Sequence, residues 1–235
     1  MKKTGSGEDA FSGFSRQTVD FFVQLARHNN REWFEQNRQL YDSQVVAPAR
    51  RFVTAMGQKI KTLCDGIRAE PRVNGSLFRI YRDMRFSADK SPYKTNLGIY
   101  FWEGNKPRLE SSGFYFHLEP PRMLLGGGVY IFSPPQLHRF RTAAVDPESG
   151  QELREILDGI VGLKNYQLGG KHFRRIPAGY DPHHPNSDLL LHNGLWIGNE
   201  TAIPKAFFSA DLVDYCWEKF HPLAPLHQWL VAILR

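Results

Sequence analysis

The chain has 235 residues, 41% of them hydrophobic and 13% aromatic, and a formal net charge of +6. That length and apolar content support one sizeable core and exclude a disordered chain, and no apolar run reaches the roughly 18–20 residues that cross a bilayer. The opening MKKTGSGEDAF has a basic start with no apolar stretch behind it, so residues 1–10 read as a flexible lead-in and residues 11–235 as a single cytoplasmic domain.

The first third has helical periodicity. Ser15 is a good N-cap for a helix carrying Val19, Phe22, Val23 and Ala26, and Asn29-Asn30 stops it. Asn30 then caps a second helix with Trp33, Phe34, Leu40 and Tyr41. Pro48 opens a third, with Phe52, Val53, Met56, Ile60 and Leu63, that ends at Gly66. Cys64 and Cys216 are far apart, have no metal-type spacing and lie in amphipathic helical patterns, which marks them as buried thiols of a reducing compartment.

From Val73 to Ile131 the period falls to two, and strands are predicted over 77–86, 97–102, 113–118 and 123–131. The links hold Pro92, Gly104-Asn105-Lys106-Pro107 and Pro120-Pro121, with no room for crossover helices, so an antiparallel meander follows. Gly126-Gly127-Gly128 inside the last strand weakens it unless a backbone or a ligand comes close there. Helices are then expected from Ser133-Pro134 and from Asp146-Pro147 to Val161. Beyond them the pattern predicts a strand at 172–176, a proline-rich loop at 180–185, a helical turn at 188–191 and a short strand at 195–197. Helices from Ser209 to Phe220 and over 225–234 complete an α+β fold, a mainly antiparallel sheet packed against N-terminal and C-terminal helices.

The charge is concentrated in the centre: between Arg72 and Arg108 stand eight Lys/Arg against three Asp/Glu, which points to an anionic partner. In the 77–86 pattern, Arg79, Tyr81, Asp83 and Arg85 share one face, and Phe78, Ile80, Met84 and Phe86 the other. Arg82 falls on the apolar face and needs a carboxylate, and it is read as pairing internally with Asp89 to knit the strand to the helices. Guanidiniums at Arg79 and Arg85 and ammoniums at Lys90 and Lys94 suit phosphate or carboxylate. Tyr93 within the motif and Arg38 on the second helix are further ligand-binding candidates. His117 and Glu119 share one face of a strand, where with Asp83 they supply groups for general acid–base work. Asp181, His183 and His184 cluster in a loop, but without the placement on regular elements that metal sites favour, and no metal is assigned. No Walker-type loop is present.

The run FRIYRDMRFSADKSPYKT, with NNREWFEQNRQLY before it and AGYDPHHPNSDLL after it, resembles the uncharacterised family called domain of unknown function 2461. The family pattern F-R-x-x-R-D-x-R-F-S-x-D-K-x-P-Y-K is matched at Phe78, Arg79, Arg82, Asp83, Arg85, Phe86, Ser87, Asp89, Lys90, Pro92, Tyr93 and Lys94. Pro177-Ala178-Gly179 departs from it, since the family tends to have Pro-Lys-Gly there. The resemblance implies an α+β fold and no activity. Two functions stay open: an enzyme acting on a phosphorylated or carboxylate small molecule, and a non-catalytic module binding nucleic acid or another anionic partner. The sequence assigns no cofactor and no oligomeric state, and a phosphorylated small molecule is the preferred partner over nucleic acid.

Overall fold

The computed structural model describes residues 10–83, 85, 89–105 and 107–235. The expected lead-in over residues 1–9, and Met84, Phe86 and Ser87 of the central motif, lie outside the described residues.

Local capping chemistry starts the chain as expected. Helix α1 (Arg16–Arg27) begins after Ser15, whose Oγ accepts the Thr18 N–H at 3.3 Å, and α2 (Arg31–Gln36) begins after Asn30, whose Oδ1 accepts the Trp33 N–H at 2.9 Å. Helix α3 (Arg38–Tyr41) runs through a π-helical turn over Asp42–Val46 into α4 (Ala47–Ile60). Pro48 sits in the first turn of α4, and the Gln44 carbonyl four residues before it accepts from the Thr18 hydroxyl at 2.6 Å.

A six-stranded sheet follows: β1 (Ile67–Arg68), β2 (Leu97–Glu103), β3 (Gly113–Glu119) and β4 (Arg122–Val129), then helices α5 (Pro134–Val145) and α6 (Ser149–Val161), then β5 (Tyr166–Lys171) and β6 (His192–Ala202). The spatial order is β1-β2-β3-β4-β6-β5, and every pairing is antiparallel. Helices α7 (Leu212–Phe220) and α8 (Ala224–Leu234) close the chain. The fold is α+β. No helix among the described residues is long and apolar enough to cross a membrane.

Alternation along the strands gives the sheet two unlike faces. Leu97, Ile99 and Phe101 of β2, Phe114, Phe116 and Leu118 of β3, and Met123, Leu125 and Val129 of β4 are buried in one continuous core. Helix α4 reaches it through Phe52, whose ring lies 5.1 Å from that of Phe116, and α7 through Phe220, 5.3 Å from Phe114. Both cysteines are buried free thiols, and burial pushes that of Cys64 up to about 11.

Two expectations are corrected. The described residues of the 77–86 segment do not form a strand of the sheet. Leu77 makes one bridge to Ile99 and Tyr81 one to Tyr93. Phe78 N–H donates to Gly98, whereas Arg82 N–H donates to Pro92 and Ile80 accepts from Lys94. The segment thus divides its backbone bonds between β2 and its own return arm, and a ladder with either one is interrupted. The later strand lies at Tyr166–Lys171 rather than 172–176, and its partner β6 is far longer than the three residues expected at 195–197.

Helix α8 is tied to the sheet by a buried histidine. His227 Nδ1 is 2.9 Å from Ser112 Oγ and Nε2 is 3.0 Å from Glu103 Oε2. Burial, opposed by Glu103, lowers the pKa of this ring, and burial also lowers that of His192. Both are expected to fold neutral and to take up a proton on unfolding below their ordinary pKa of about 6.5. The unfolded chain then binds more protons, so stability falls as the pH drops through that value. Urea melts at about pH 7.5 and about pH 5.5 test this. A His227→Gln variant should show a shallower pH dependence, and an unchanged slope would remove His227 from the account.

Candidate functional site

The sheet face turned away from the helices carries a cleft of about 800 Å³. Strand register explains its shape. Three rows cross β2, β3, β4 and β6 on this face: Gly98–His117–Leu124–Glu200, Tyr100–Tyr115–Gly126–Gly198 and Trp102–Gly113–Gly128–Trp196. Each row contains at least one glycine. Gly113, Gly126 and Gly128 leave bare backbone as a floor, and Phe78, Tyr100, Tyr115 and Trp196 line the cleft above it. Trp196 lies flat because its neighbours have no side chain: a Cβ on Gly169 would come within 2.2 Å of the indole. Gly98 serves Tyr115 in the same way, since a Cβ there would approach its hydroxyl to 2.8 Å.

The polar lining includes Lys94, Asn96, His117 and Glu119, with the Arg122–Glu200 ion pair on the β4–β6 side. Tyr115 Oη is 2.9 Å and Asn96 Nδ2 is 3.4 Å from His117 Nδ1. An amide nitrogen can only donate, so Nδ1 is the acceptor and the neutral ring carries its hydrogen on Nε2. That Nε2–H faces Glu119 Oε2 at 3.4 Å, and Glu119 Oε1 accepts from Thr95 Oγ1 at 3.0 Å. A continuous Tyr115–His117–Glu119–Thr95 chain results. Burial, reinforced by the Glu119 charge, pushes the Tyr115 phenol up to about 12, so it stays protonated and able to donate.

Lys94 donates to the Arg79 carbonyl at 3.2 Å, and its Nζ lies 5.5 Å from the centre of the Phe78 ring. Arg108 covers the same ring at 4.1 Å. Burial, followed by the charges of Arg79, Arg108 and Arg82, lowers the Lys94 pKa.

Of the catalytic and ligand-binding candidates read from the sequence, Lys94, His117 and Glu119 line this cleft, and the Gly126-Gly127-Gly128 run lines it too. The others do not. Arg85 is held by Asp83, Nε to Oδ1 at 2.9 Å and Nη2 to Oδ2 at 2.6 Å, and these bonds keep the Asp83 carboxyl well below the usual range. Arg82 pairs with Asp89, which also accepts the Ser91 N–H at 2.8 Å; hydrogen bonds from Ser91 and then Arg82 lower Asp89 to about 2. Asp89 is 53% exposed, so the pair lies at the surface and not in an apolar interior. Tyr93 is buried against Phe34, ring centres 4.2 Å apart, and both its backbone groups bond to the Asn29 side chain. Arg38 makes a bidentate pair with Glu35 and reaches the Tyr81 hydroxyl at 3.2 Å. Arg79 and Lys90 are exposed. In the 181–184 loop the donors are turned inward on the loop itself, with Asp181 Oδ1 accepting the His183 N–H and His184 Nδ1 that of Asn186.

Residues 17–229 match the family described as conserved hypothetical protein (DUF2461). The chain belongs to that family. Its match includes every residue that lines the cleft, and no curated protein matches the chain. Tyr115 and Asn96 were not singled out from this DUF2461 sequence, although Tyr115 stands two residues before His117 and so shares its strand face. Phe78 and Trp196 are brought together by register across distant elements, for which the sequence holds no local signal.

Proposed function

We propose that the cleft binds a small molecule with a flat apolar body and an anionic group, phosphate or carboxylate, and that the Tyr115–His117–Glu119 chain donates or accepts a proton there. The observation that carries this reading is the bare-backbone floor: Phe78, Tyr100, Tyr115 and Trp196 surround glycine backbone and leave a cleft of about 800 Å³. A cation favours the anion at one edge, where Lys94 lines the cleft and the charges of Arg79 and Arg108 act on it from outside the lining. Asp83, saturated by Arg85, supports this reading as a clamp on the segment and not as a proton carrier. Apolar walls with a few convergent polar groups are the usual make-up of a small-molecule site. The two buried free thiols fit a reducing compartment, and the cytoplasm is the location proposed.

A thermal-shift screen of sugar phosphates, nucleotides, aromatic acids and short oligonucleotides tests the reading. A small anionic hit should bind saturably, and Lys94→Ala should weaken it about tenfold to a hundredfold, the range of one charge-assisted contact. Binding that Lys94→Ala leaves intact would place the anion elsewhere. A response confined to oligonucleotides would favour the non-catalytic nucleic-acid module.

A further inference from the structure

Lys94 differs from a surface lysine in three respects. None of the ion pairs among the described residues includes it, whereas Lys59, for comparison, is paired with Asp214. The charged groups that act on it are Arg79, Arg108 and Arg82, all of its own sign. Its Nζ, half-buried against Phe78, opens into an apolar cleft. A lysine that is partly desolvated and surrounded by cations holds a larger share of neutral, nucleophilic amine, the condition for attack on a carbonyl carbon.

We propose that Lys94 is a carbonyl-reactive lysine that forms an imine with a 2-oxo acid of apolar side chain held in the cleft. The inference rests on the cleft being a small-molecule site. A 2-oxo acid fits because its carboxylate is adjacent to the reacting carbonyl, and the positive field of Arg79 and Arg108, neither of them among the cleft-lining residues, favours an anion beside Lys94. Neutral Nζ attacks the keto carbon, a C–N bond forms, and the π pair moves to oxygen, which gains one proton as nitrogen loses one. The C–O bond then breaks, the oxygen leaves as water with the second hydrogen lost from nitrogen, and the nitrogen pair forms the C=N bond. Nothing is oxidised or reduced. Tyr115 and Lys94 both meet the Phe78 ring, Tyr115 edge-on at 6.0 Å, so the proton chain that begins at Tyr115 and the amine belong to the same wall.

The test uses phenylpyruvate with sodium cyanoborohydride, followed by peptide mapping. Reversible binding of phenyllactate, which has a hydroxyl in place of the keto group, is measured alongside. Reductive labelling at Lys94 should exceed that at the exposed Lys171 and Lys205 by about tenfold for each pKa unit of depression. Phenyllactate should protect it, and a folded Lys94→Arg variant should lose it. Equal labelling of all three lysines would overturn the proposal. Phenyllactate binding without a Lys94 adduct would overturn the imine and leave the cleft as a binding site, and the absence of both would overturn both readings.

Discussion

Replacing Phe34 by alanine is expected to destabilise the fold by about 3–5 kcal/mol, the cost of removing a fully buried phenyl ring. Phe34 is 1% exposed and stacks on Tyr93, with Tyr41 at 5.4 Å and Tyr81 at 6.2 Å. Those contacts join α2 to both arms of the segment that delivers Lys94 to the cleft. Phe34→Ala should therefore weaken any cleft ligand as well as lower the urea midpoint. Arg82→Ala, in the same segment, should cost only a small fraction of this, because its partner Asp89 is already solvated and can exchange the guanidinium for water. Melts of the two variants side by side decide the matter. Comparable losses would mean that the segment is held by its charges and not by its rings.

The second large effect separates two neighbouring glycines. Gly128 has φ +129°, and a Cβ there would lie 2.2 Å from the Leu195 carbonyl oxygen across the β4–β6 ladder. Gly128→Ala should cost roughly 2–6 kcal/mol from backbone strain and overpacking together. Gly126 has no such φ, and its nearest contact for a Cβ is the Ile197 oxygen at 3.0 Å, far longer than at Gly128, so the β6 backbone has to give by only a few tenths of an ångström. A side chain there projects into the cleft. Gly126→Leu should therefore keep the fold, at a cost of about 1 kcal/mol or less, while ligand binding falls by about a hundredfold or more, as an overlap worth roughly 3 kcal/mol requires. Retained binding in a folded Gly126→Leu protein would show that the ligand does not lie on this floor. A stable Gly128→Ala protein would contradict the ladder register.

Much of the architecture is set by interactions that span three or four residues, and these are visible in a linear chain. Ser15 and Asn30 cap helices because their side chains reach backbone three positions ahead, and the strands from Leu97 to Val129 alternate because each must bury one face. The face shared by His117 and Glu119 follows from the same period of two. Tertiary structure decided what that period cannot contain. Residues 77–86 alternate like a strand, yet their backbone donors are shared between β2 and residues 92–94, a choice of partner that no local pattern records. A glycine ordinarily weakens a strand, but Trp196 lies over Gly169, so glycine is what that strand requires. The central cations counted as one basic patch, whereas Arg72, Arg82 and Arg85 each found a carboxylate within seven residues and left Lys94, which has none, at the cleft. Sequence determines which charges exist. Only the folded chain determines which of them are neutralised by a neighbour, because pairing depends on distances that strand register and helix packing impose.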